Sequence, residues 1–341
     1  MRRVLVTGAG GYIGCILVPM LLENGYGVRA VDRFFFGENR LPSVAKNLEK
    51  IKTDTRRILP EHLANIDYVI DLAALSNDPT GELYQNATWE INHIARVNLA
   101  NLAKRLGIRR YILPSSCSIY GFQAEGVIAN EQSQPNPLTT YAKANLMAEQ
   151  SILPLADKTF CVVTLRQATV YGYSPRMRFD LAINGMTYGA WKTGKLPLMR
   201  DGSQWRPMVH VKDTAAAICF MLEQDSTKIS GHIFNVGSDS NNYQLKALAE
   251  AVAKTVPKKV EIEWYGDPDH RSYRVNFSKI EALGYKATRR AEDGVQEICQ
   301  ALEAGTLDKT TDTLTLQWYQ ELIRWHKIIK ATEFDGKMID L

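Results

Sequence analysis

The chain has 341 residues, of which 45% are hydrophobic and 23% are charged. This composition is typical of a globular protein and excludes a disordered or fibrous chain, and the length predicts two domains at about 150 residues each. Lys and Arg number 41 against 37 Asp and Glu, for a net charge of +4. So small an excess gives no basis for nucleic-acid or membrane-surface binding, although a few arginines could still bind an anionic ligand.

The cysteines and the start of the chain both favour a cytoplasmic protein. The five cysteines are odd in number, widely spaced and set among apolar neighbours, which predicts reduced, buried thiols and no zinc or other metal site. No apolar run approaches the length of a transmembrane helix. A strand pattern begins at Arg3, so we expect no signal peptide before it.

The first half of the chain alternates apolar strand-like runs with helical patterns. The runs are 3–7, 28–32, 68–72, 111–113 and 160–165, and the main helical patterns between them are 13–24, 90–106 and 141–155. Continuous apolar strands between helices are typical of a parallel sheet that is covered on both faces. We therefore expect a doubly wound parallel α/β sheet of the Rossmann type over residues 1–170, forming a dinucleotide-binding domain.

The alternation ends after Tyr171. Residues 172–208 are rich in Gly, Pro, Arg and Met, with a helix expected near 179–192. A strand at 232–236 within a return segment near 209–238 rejoins the first sheet. Helical patterns follow from 244 and at 291–303, separated by a loop at 265–275. The sequence thus predicts a smaller, interleaved C-terminal α/β domain for substrate, formed by 171–208 and 239–341.

The C-terminal segment has apolar residues at helical spacing. Trp318, Leu322, Trp325 and Ile329 predict an amphipathic helix over 313–330. Packing on its own domain is the favoured interpretation, and a dimer contact is the alternative. Nothing in the sequence separates the two.

The turn after the first strand has the pattern of a dinucleotide-binding loop, TGAGGYIG. Gly8 permits the tight turn, Gly11 lets the backbone approach a pyrophosphate, and Gly14 lets helix and strand pack closely. Asp32 ends the second strand, where its carboxylate would accept hydrogen bonds from a ribose and repel a 2′-phosphate. This favours NAD over NADP as the cofactor, and the neighbouring Arg33 weakens that preference.

Taken with later motifs, this turn resembles the extended short-chain dehydrogenase/reductase family, specifically its NAD-dependent nucleotide-sugar epimerases and dehydratases. The resemblance spans roughly residues 3–305 and consists of several motifs in order. After the glycine turn they are Asp54, Leu72-Ala73-Ala74, Asn92, SSCSIYG at 115–121, Tyr141, the segment 165–172 and RPMVHV at 206–211. One motif would be weak evidence, whereas this many in order is strong.

The resemblance implies which residues bind cofactor and which react. The implied NAD-binding residues are Gly8, Gly11, Tyr12, Ile13, Gly14, Asp32, Arg33, Asp54, Thr55, Leu72, Ala73, Ala74, Asn92, Ser115, Tyr141 and Asn145. Ser116 and Tyr141 would be the catalytic pair. As a phenolate, Tyr141 would take the proton of a sugar hydroxyl while its carbon loses a hydride, with Ser116 hydrogen-bonded to the same oxygen.

The main departure from the family lies four residues after this tyrosine. The family places a lysine there, which binds the nicotinamide ribose and lowers the pKa of the tyrosine, whereas this chain has Asn145. Asn145 can still hydrogen-bond to the ribose, but it brings no charge. Lys143 points about 200° around the helix from the tyrosine. Because free tyrosine titrates near pH 10, the phenolate would be scarce at neutral pH.

Three explanations are open. The enzyme tolerates a weaker base, another group supplies the charge, or redox chemistry is lost and only binding remains. We favour an active enzyme, because Ser116, Tyr141 and the substrate arginines are present. This predicts a rate profile shifted to alkaline pH and, for Asn145→Lys, a gain in activity near neutrality.

The residues after the catalytic serine separate the possible reactions. Family 4,6-dehydratases carry Asp-Glu there to remove water, whereas this chain has Cys117-Ser118. Cys117 is a candidate acid, but a thiol is a poor substitute for a carboxylic acid. The favoured interpretation is therefore that Cys117 is a small residue in a tight turn. Epimerisation needs only reversible oxidation, so we expect an epimerase. A dehydratase, a reductase and a redox-inactive dinucleotide sensor are the alternatives.

Arginines are the main candidates for binding a nucleotide-diphosphate sugar, because guanidinium groups clamp two phosphate oxygens at once. The resemblance matches Arg206 to the family arginine that binds the diphosphate. The implied substrate residues are Ser116, Thr169, Arg176, Arg206, Arg271 and Arg274. Thr169 stands where sugar epimerases often carry Asn. The family also implies a homodimer, through the helices at 90–106 and 141–155.

Overall fold

The structure is a computed structural model that describes residues 1–43, 45–124, 126–199, 202–266 and 272–337. The strands in chain order are β1 (Arg3–Thr7), β2 (Gly27–Asp32), β3 (Leu48–Lys52), β4 (Tyr68–Asp71), β5 (Arg110–Ser116), β6 (Ile128–Ala129), β7 (Cys161–Gln167), β8 (Thr169–Tyr171), β9 (Lys195–Met199), β10 (Trp205–His210), β11 (His232–Val236), β12 (Asn242–Gln244), β13 (Glu261–Tyr265) and β14 (Arg274–Val275).

Helices alternate with these strands. In chain order they are α1 (Gly14–Glu23), α2 (Asp78–Leu83), α3 (Gln85–Trp89), α4 (Arg96–Arg105), α5 (Thr140–Ile152), α6 (Ala182–Thr193), α7 (Val211–Glu223), α8 (Ser226–Ile229), α9 (Leu245–Thr255), α10 (Ser278–Ala282), α11 (Ala291–Glu303) and α12 (Thr315–Thr332). None of the described helices combines the length and the hydropathy that a membrane crossing requires.

A seven-stranded parallel sheet forms the larger part of the fold, in the order β11-β7-β5-β4-β1-β2-β3. Apolar residues of α1 and α7 pack on one face and those of α4 and α5 on the other, so the strand interiors are buried on both sides. This confirms the doubly wound α/β fold and the expected return strand, which is β11. The strand order reverses between β1 and β4, which is where such sheets open a binding crevice.

The chain after β7 adds smaller sheets beside the large one. Their strand orders are β12-β10-β8, β13-β9 and β14-β6. Helices α6, α9 and α11 share a separate apolar core with β9, which includes Leu196, Leu248 and Val295. The helices expected near 179–192 and at 291–303 are present as α6 and α11.

The helix expected over 90–106 is not uniform. A π-helical segment over Glu90–Ala95 joins α3 to α4. Within this segment Asn92 is fully buried, and its amide accepts from Leu75 N at 2.9 Å and donates to Leu75 O at 3.0 Å. The apolar periodicity could not show this change in hydrogen-bond register, and π-helical turns occur frequently at functional sites.

The C-terminal helix α12 packs on its own chain only through its first turns. Trp318 Nε1 donates to Phe35 O at 2.7 Å, and the Tyr319 ring lies edge-on to Phe35 at 5.9 Å. Further along, Trp325 and Ile328 are 43% and 48% exposed. The predicted helix is confirmed, its first turns pack against the loop after β2, and the dimer contact of its exposed residues stays an open alternative.

All five cysteines are buried and free, as the sequence predicts.

Candidate active site

A cavity of about 760 Å³ runs along the carboxyl ends of β1, β2, β4 and β5. It brings together most of the predicted site residues. Those that line it are Gly8, Gly11, Tyr12, Ile13, Gly14, Asp32, Arg33, Asp54, Thr55, Leu72, Ala73, Ala74, Ser115, Ser116, Tyr141, Thr169, Arg176 and Arg206. The cavity therefore brings the glycine turn together with Ser116 and Tyr141 and with Arg176 and Arg206 of the chain after β8.

The glycine turn has the close contacts that its sequence predicts. Gly8 has a φ of +63°, and a Cβ there would lie 2.8 Å from Ala73 N. A Cβ on Gly14 would lie 2.4 Å from Ala9 O, so only glycine allows this approach of helix and turn. Helix α1 begins at Gly14 with no capping side chain. The N–H groups of Cys15 and Leu17 donate to Gly11 O and Ile13 O, so it is the dipole at the helix start, with the glycine turn before it, that suits a phosphate.

Asp32 is held at the end of β2 by backbone amides. Its carboxylate accepts from Gly10 N at 3.0 Å and from Phe34 N at 2.7 Å. Burial raises the pKa of Asp32, and these backbone hydrogen bonds oppose that rise. The arrangement leaves the carboxylate on the cavity wall, where it can accept from a ribose.

Arg33 forms an ion pair with Asp54. Its Nη1 lies 3.2 Å from Asp54 Oδ2, and its guanidinium stacks 4.4 Å from the centre of the Phe35 ring. Arg56 donates to both oxygens of Asp54, and this hydrogen bonding lowers the pKa of Asp54 to about 2. Arg33 is thus already engaged with a carboxylate, which weakens it as a partner for a 2′-phosphate.

Tyr141 and Ser116 meet in the cavity. Ser116 is the last residue of β5, and Tyr141 lies in the first turn of α5, whose N-cap Thr139 accepts from Ala142 N at 3.2 Å. Both side chains line the cavity, and the hydroxyl of Ser116 favours the charged form of Tyr141 and so lowers its pKa. Burial raises the pKa of Tyr141, and the Arg96 charge is the largest effect that lowers it.

Asn145 is turned away from the cavity and is not one of the residues that line it. The side chain is 1% exposed, and its Nδ2 donates to Tyr141 O at 2.9 Å. Its Oδ1 accepts from Arg96 Nη1 at 2.8 Å. Both polar atoms of the Asn145 amide are therefore engaged within the protein, and its contact with a ribose stays a prediction. Asn92 likewise binds the Leu75 backbone and does not line the cavity.

Cys117 also lies outside the cavity lining. The thiol is 1% exposed and donates to Arg166 O at 3.3 Å, and burial raises its pKa well above the usual value. A buried thiol of this kind is a poor proton donor. Beside it, Ser115 Oγ donates to Glu149 Oε1 at 2.5 Å, and Glu149 forms an ion pair with Arg166.

The arginines that the sequence predicts to bind substrate do not all line the cavity. Arg206 lines the cavity, with its guanidinium 5.5 Å from the centre of the Tyr273 ring. Arg274 stacks on Trp205 at 5.0 Å and does not line the cavity. Arg271 lies outside the described residues.

Arg176 lies at the end of the cavity that contains the glycine turn and Asp32, which we call the dinucleotide end. Its Nη2 donates to Thr315 Oγ1 at 2.9 Å, and its guanidinium stacks 3.7 Å from the centre of the Phe36 ring. Its charge lowers the pKa of Asp32. This position favours contact with a cofactor phosphate over the predicted contact with substrate.

Sequence reasoning missed several residues at the site. Phe35, Phe36 and Tyr319 line the dinucleotide end, where α12 covers the loop after β2. Arg178 was not missed, because the arginines that follow Tyr171 predict a contact with the substrate phosphates; it lines the cavity and pairs with Asp180 at 2.6 Å. Arg96 follows Asn92 by one helical turn, and a basic residue on that apolar face was a signal that could have been followed.

Comparisons with known proteins agree with this geometry. The model of the NAD dependent epimerase/dehydratase family matches residues 4–237. UDP-glucose 4-epimerase 2 of Arabidopsis thaliana is 24% identical over 339 residues, covering 88% of this chain and 94% of that protein. UDP-glucuronic acid decarboxylase 4 of the same organism is 26% identical over 306 residues, covering 83% of this chain and 65% of that protein. The solved structure of MoeE5 in complex with UDP-glucuronic acid and NAD has a TM-score of 0.78 and 27% identity, and the match covers 89% of this chain and 99% of MoeE5.

Proposed function

Because the chain belongs to the NAD dependent epimerase/dehydratase family, we propose that it is an epimerase that acts on a nucleotide-diphosphate sugar. The reaction is the transient oxidation of one sugar carbon to a ketone, followed by return of the hydride to the opposite face. The observation that carries the proposal is that Tyr141 and Ser116 line one cavity together with the glycine turn.

The residues at the dinucleotide end fit NAD, the cofactor of this family. The uncapped start of α1 suits a pyrophosphate, and Asp32 suits a ribose that carries two free hydroxyls. Arg176 adds a positive charge beside Asp32. When bound, NAD supplies the acceptor for the hydride.

Tyr141 and Ser116 perform the proton chemistry. As the phenolate, Tyr141 takes the proton of the sugar hydroxyl while the C–H bond of the same carbon breaks, and it returns that proton when the ketone is reduced. Ser116 Oγ accepts from Ser118 N at 3.1 Å, so its own hydrogen is available to the reacting oxygen. The same two residues serve both directions, as an epimerase requires.

The surroundings of Ser116 favour epimerisation over dehydration. Removal of water needs an additional acid and base beside the sugar. The next residue, Cys117, is buried against Arg166 O and its thiol does not line the cavity. The similarity to a decarboxylase leaves a second reaction to be tested by product analysis, because loss of carbon dioxide would give a shorter sugar.

Arg206 and Thr169 are the proposed substrate residues of the second region. Both line the cavity, and a guanidinium suits a diphosphate.

We also propose a homodimer through the helical segment before α4 and through α5. Two exposed apolar side chains support it, since Ile94 is 50% exposed and Met147 is 40% exposed. Sedimentation of wild type and Ile94→Glu should show a dimer and a monomer; a monomeric wild type would contradict the dimer.

The test of function is conversion of sugar nucleotides. Purified protein with NAD is incubated with UDP-, GDP-, CDP- and dTDP-sugars, and the products are identified by nuclear magnetic resonance. We expect one nucleotide series to give a sugar inverted at one carbon, and Tyr141→Phe to give none. NAD binding without conversion of any sugar nucleotide would favour a dinucleotide sensor.

A further inference from the structure

We infer that Arg96 is a positioning residue that supplies the positive charge missing at position 145. Its buried guanidinium, bound to Asn145 beside the first two turns of α5, stabilises the phenolate of Tyr141. The inference rests on the proposed function, in which Tyr141 is the base.

The guanidinium of Arg96 is placed by two contacts. The residue is 2% exposed and begins α4, directly after the π-helical segment. Its Nη1 donates to Asn145 Oδ1 at 2.8 Å, and its Nε donates to Ala73 O at 3.3 Å. Ala73 is itself on the cavity wall. The charge therefore lies between the cavity wall and the helix that carries Tyr141.

Asn145 and Arg96 fit one another as acceptor and donor. The amide oxygen of Asn145 accepts from Arg96, and its amide nitrogen donates to Tyr141 O. A lysine at position 145 has only donors, so it could not accept from the guanidinium, and two cations would meet in a buried site. The departure from the family at position 145 is thus matched by a charge on a different helix.

Other ionisable groups face Tyr141 from the elements packed around it. Asp78 of α2 raises the pKa of Tyr141, whereas Arg178 lowers it. The remaining charged groups near this end of α5 are Glu82, which accepts from Thr140 N, Lys143, Asp180 and, further along the helix, His93. Arg178 is paired with Asp180 at 2.6 Å, so much of its charge is neutralised locally.

Arg96 keeps more of its charge for Tyr141. Its nearest carboxylate is Asp71, whose Oδ2 lies 3.9 Å from Arg96 Nε. The Asp71 carboxylate accepts from Thr7 Oγ1 at 2.5 Å and from Tyr111 Oη at 2.6 Å. It is thus held mainly by hydroxyls, and it lies nearest to Nε of Arg96, whereas Asn145 accepts from Nη1. An opposite charge near a buried acid lowers its pKa by about one to three units.

The test is the ionisation of Tyr141 in the NAD-bound protein. The signal is the tyrosinate absorbance of each protein minus that of the same protein carrying Tyr141→Phe, and it requires no substrate. Arg96→Met should raise the midpoint by about one to two pH units, which is roughly 10- to 100-fold less phenolate at neutral pH. The control is Arg105→Met, the same change at an exposed residue of α4, which should leave the midpoint unchanged.

Two further variants separate charge from structure. Arg96→Lys keeps the charge and should have a midpoint close to that of wild type. Arg96→Met combined with Asn145→Lys moves the charge to position 145 and should lower the midpoint again. These variants carry the test if Arg96→Met does not fold, with circular dichroism and NAD binding as the measures of folding.

An unchanged midpoint in folded Arg96→Met would overturn the inference. So would a midpoint in Arg96→Lys that is raised by one unit or more in a folded protein. If the midpoint shifts as expected while no sugar nucleotide is converted by wild type, the role of Arg96 is supported and the proposed function fails.

Discussion

The dinucleotide end of the cavity and the end that contains Tyr141, which we call the catalytic end, differ in how far apart along the chain their contacting residues lie. At the dinucleotide end the tightest contact of the glycine turn joins near neighbours, because a Cβ on Gly14 would lie 2.4 Å from Ala9 O. At the catalytic end the critical contact joins Arg96 to Asn145, which are 49 residues apart and lie on separate helices. A motif of near neighbours can be identified without knowing the fold, whereas a pair of this kind exists only after folding.

The same difference predicts how substitutions act. Asp32 is held by the backbone amides of Gly10 in the glycine turn and of Phe34 in its own loop, so a change there should alter cofactor binding alone. Tyr141, Asn145 and Arg96 form one connected group, so a change in one alters the proton affinity of the base. We therefore expect substitutions at the first end to act on Kd and substitutions at the second to act on kcat.

The largest effect is expected for Tyr141→Phe. Removing the phenol removes the base, and general acid–base catalysis contributes about 10²- to 10⁴-fold, so kcat should fall by that factor. NAD affinity, measured by calorimetry, should change little. A variant that retains more than about a tenth of wild-type kcat would place the base elsewhere.

Asn145→Lys tests whether Arg96 already supplies the positive charge at the catalytic end. The sequence alone predicts a gain near neutral pH, but the structure reverses that expectation, because the new ammonium would face the Arg96 guanidinium at a contact that is now 2.8 Å. We expect kcat at pH 7 to fall by about tenfold or more, as repulsion of buried like charges requires. A rise in kcat would show that Arg96 does not occupy the place of the lysine charge.

Asp32→Asn tests the dinucleotide end. Loss of a charged acceptor should weaken NAD by about tenfold, the size of one hydrogen bond to a charged group, and should reduce the preference for NAD over NADP. The kcat at saturating NAD should stay near that of wild type. A large fall in kcat with unchanged Kd would break the division between the two ends.

The smallest effect is expected for Cys117→Ser. Because the thiol is buried and lies outside the cavity lining, kcat should stay within about twofold of wild type, as for a change outside the reacting groups. A hundredfold loss in a folded variant would make Cys117 an acid and would favour dehydration.

The sequence was sufficient for the sheet and the glycine turn, because each depends on a local pattern, whereas the pairing of Ser116 with Tyr141 follows from the family resemblance and stays a prediction. It was insufficient where a side chain's partner is distant. Asn92 carries a family motif, yet its amide binds the Leu75 backbone. Arg96 resembles any helical arginine until Asn145 is placed beside it. Tyr319 reaches the cavity only because α12 folds back onto Phe35.

We propose that this chain transfers a hydride although position 145 lacks the family lysine. The most direct measurement is the absorbance of reduced nicotinamide after the NAD-bound protein is mixed with the sugar nucleotide that binds best, at pH 7 and pH 9. Because burial raises the pKa of Tyr141, we expect the absorbance of reduced nicotinamide to rise faster at pH 9 than at pH 7. We expect no rise in Tyr141→Phe. A bound sugar nucleotide that gives no reduced nicotinamide at either pH would contradict it.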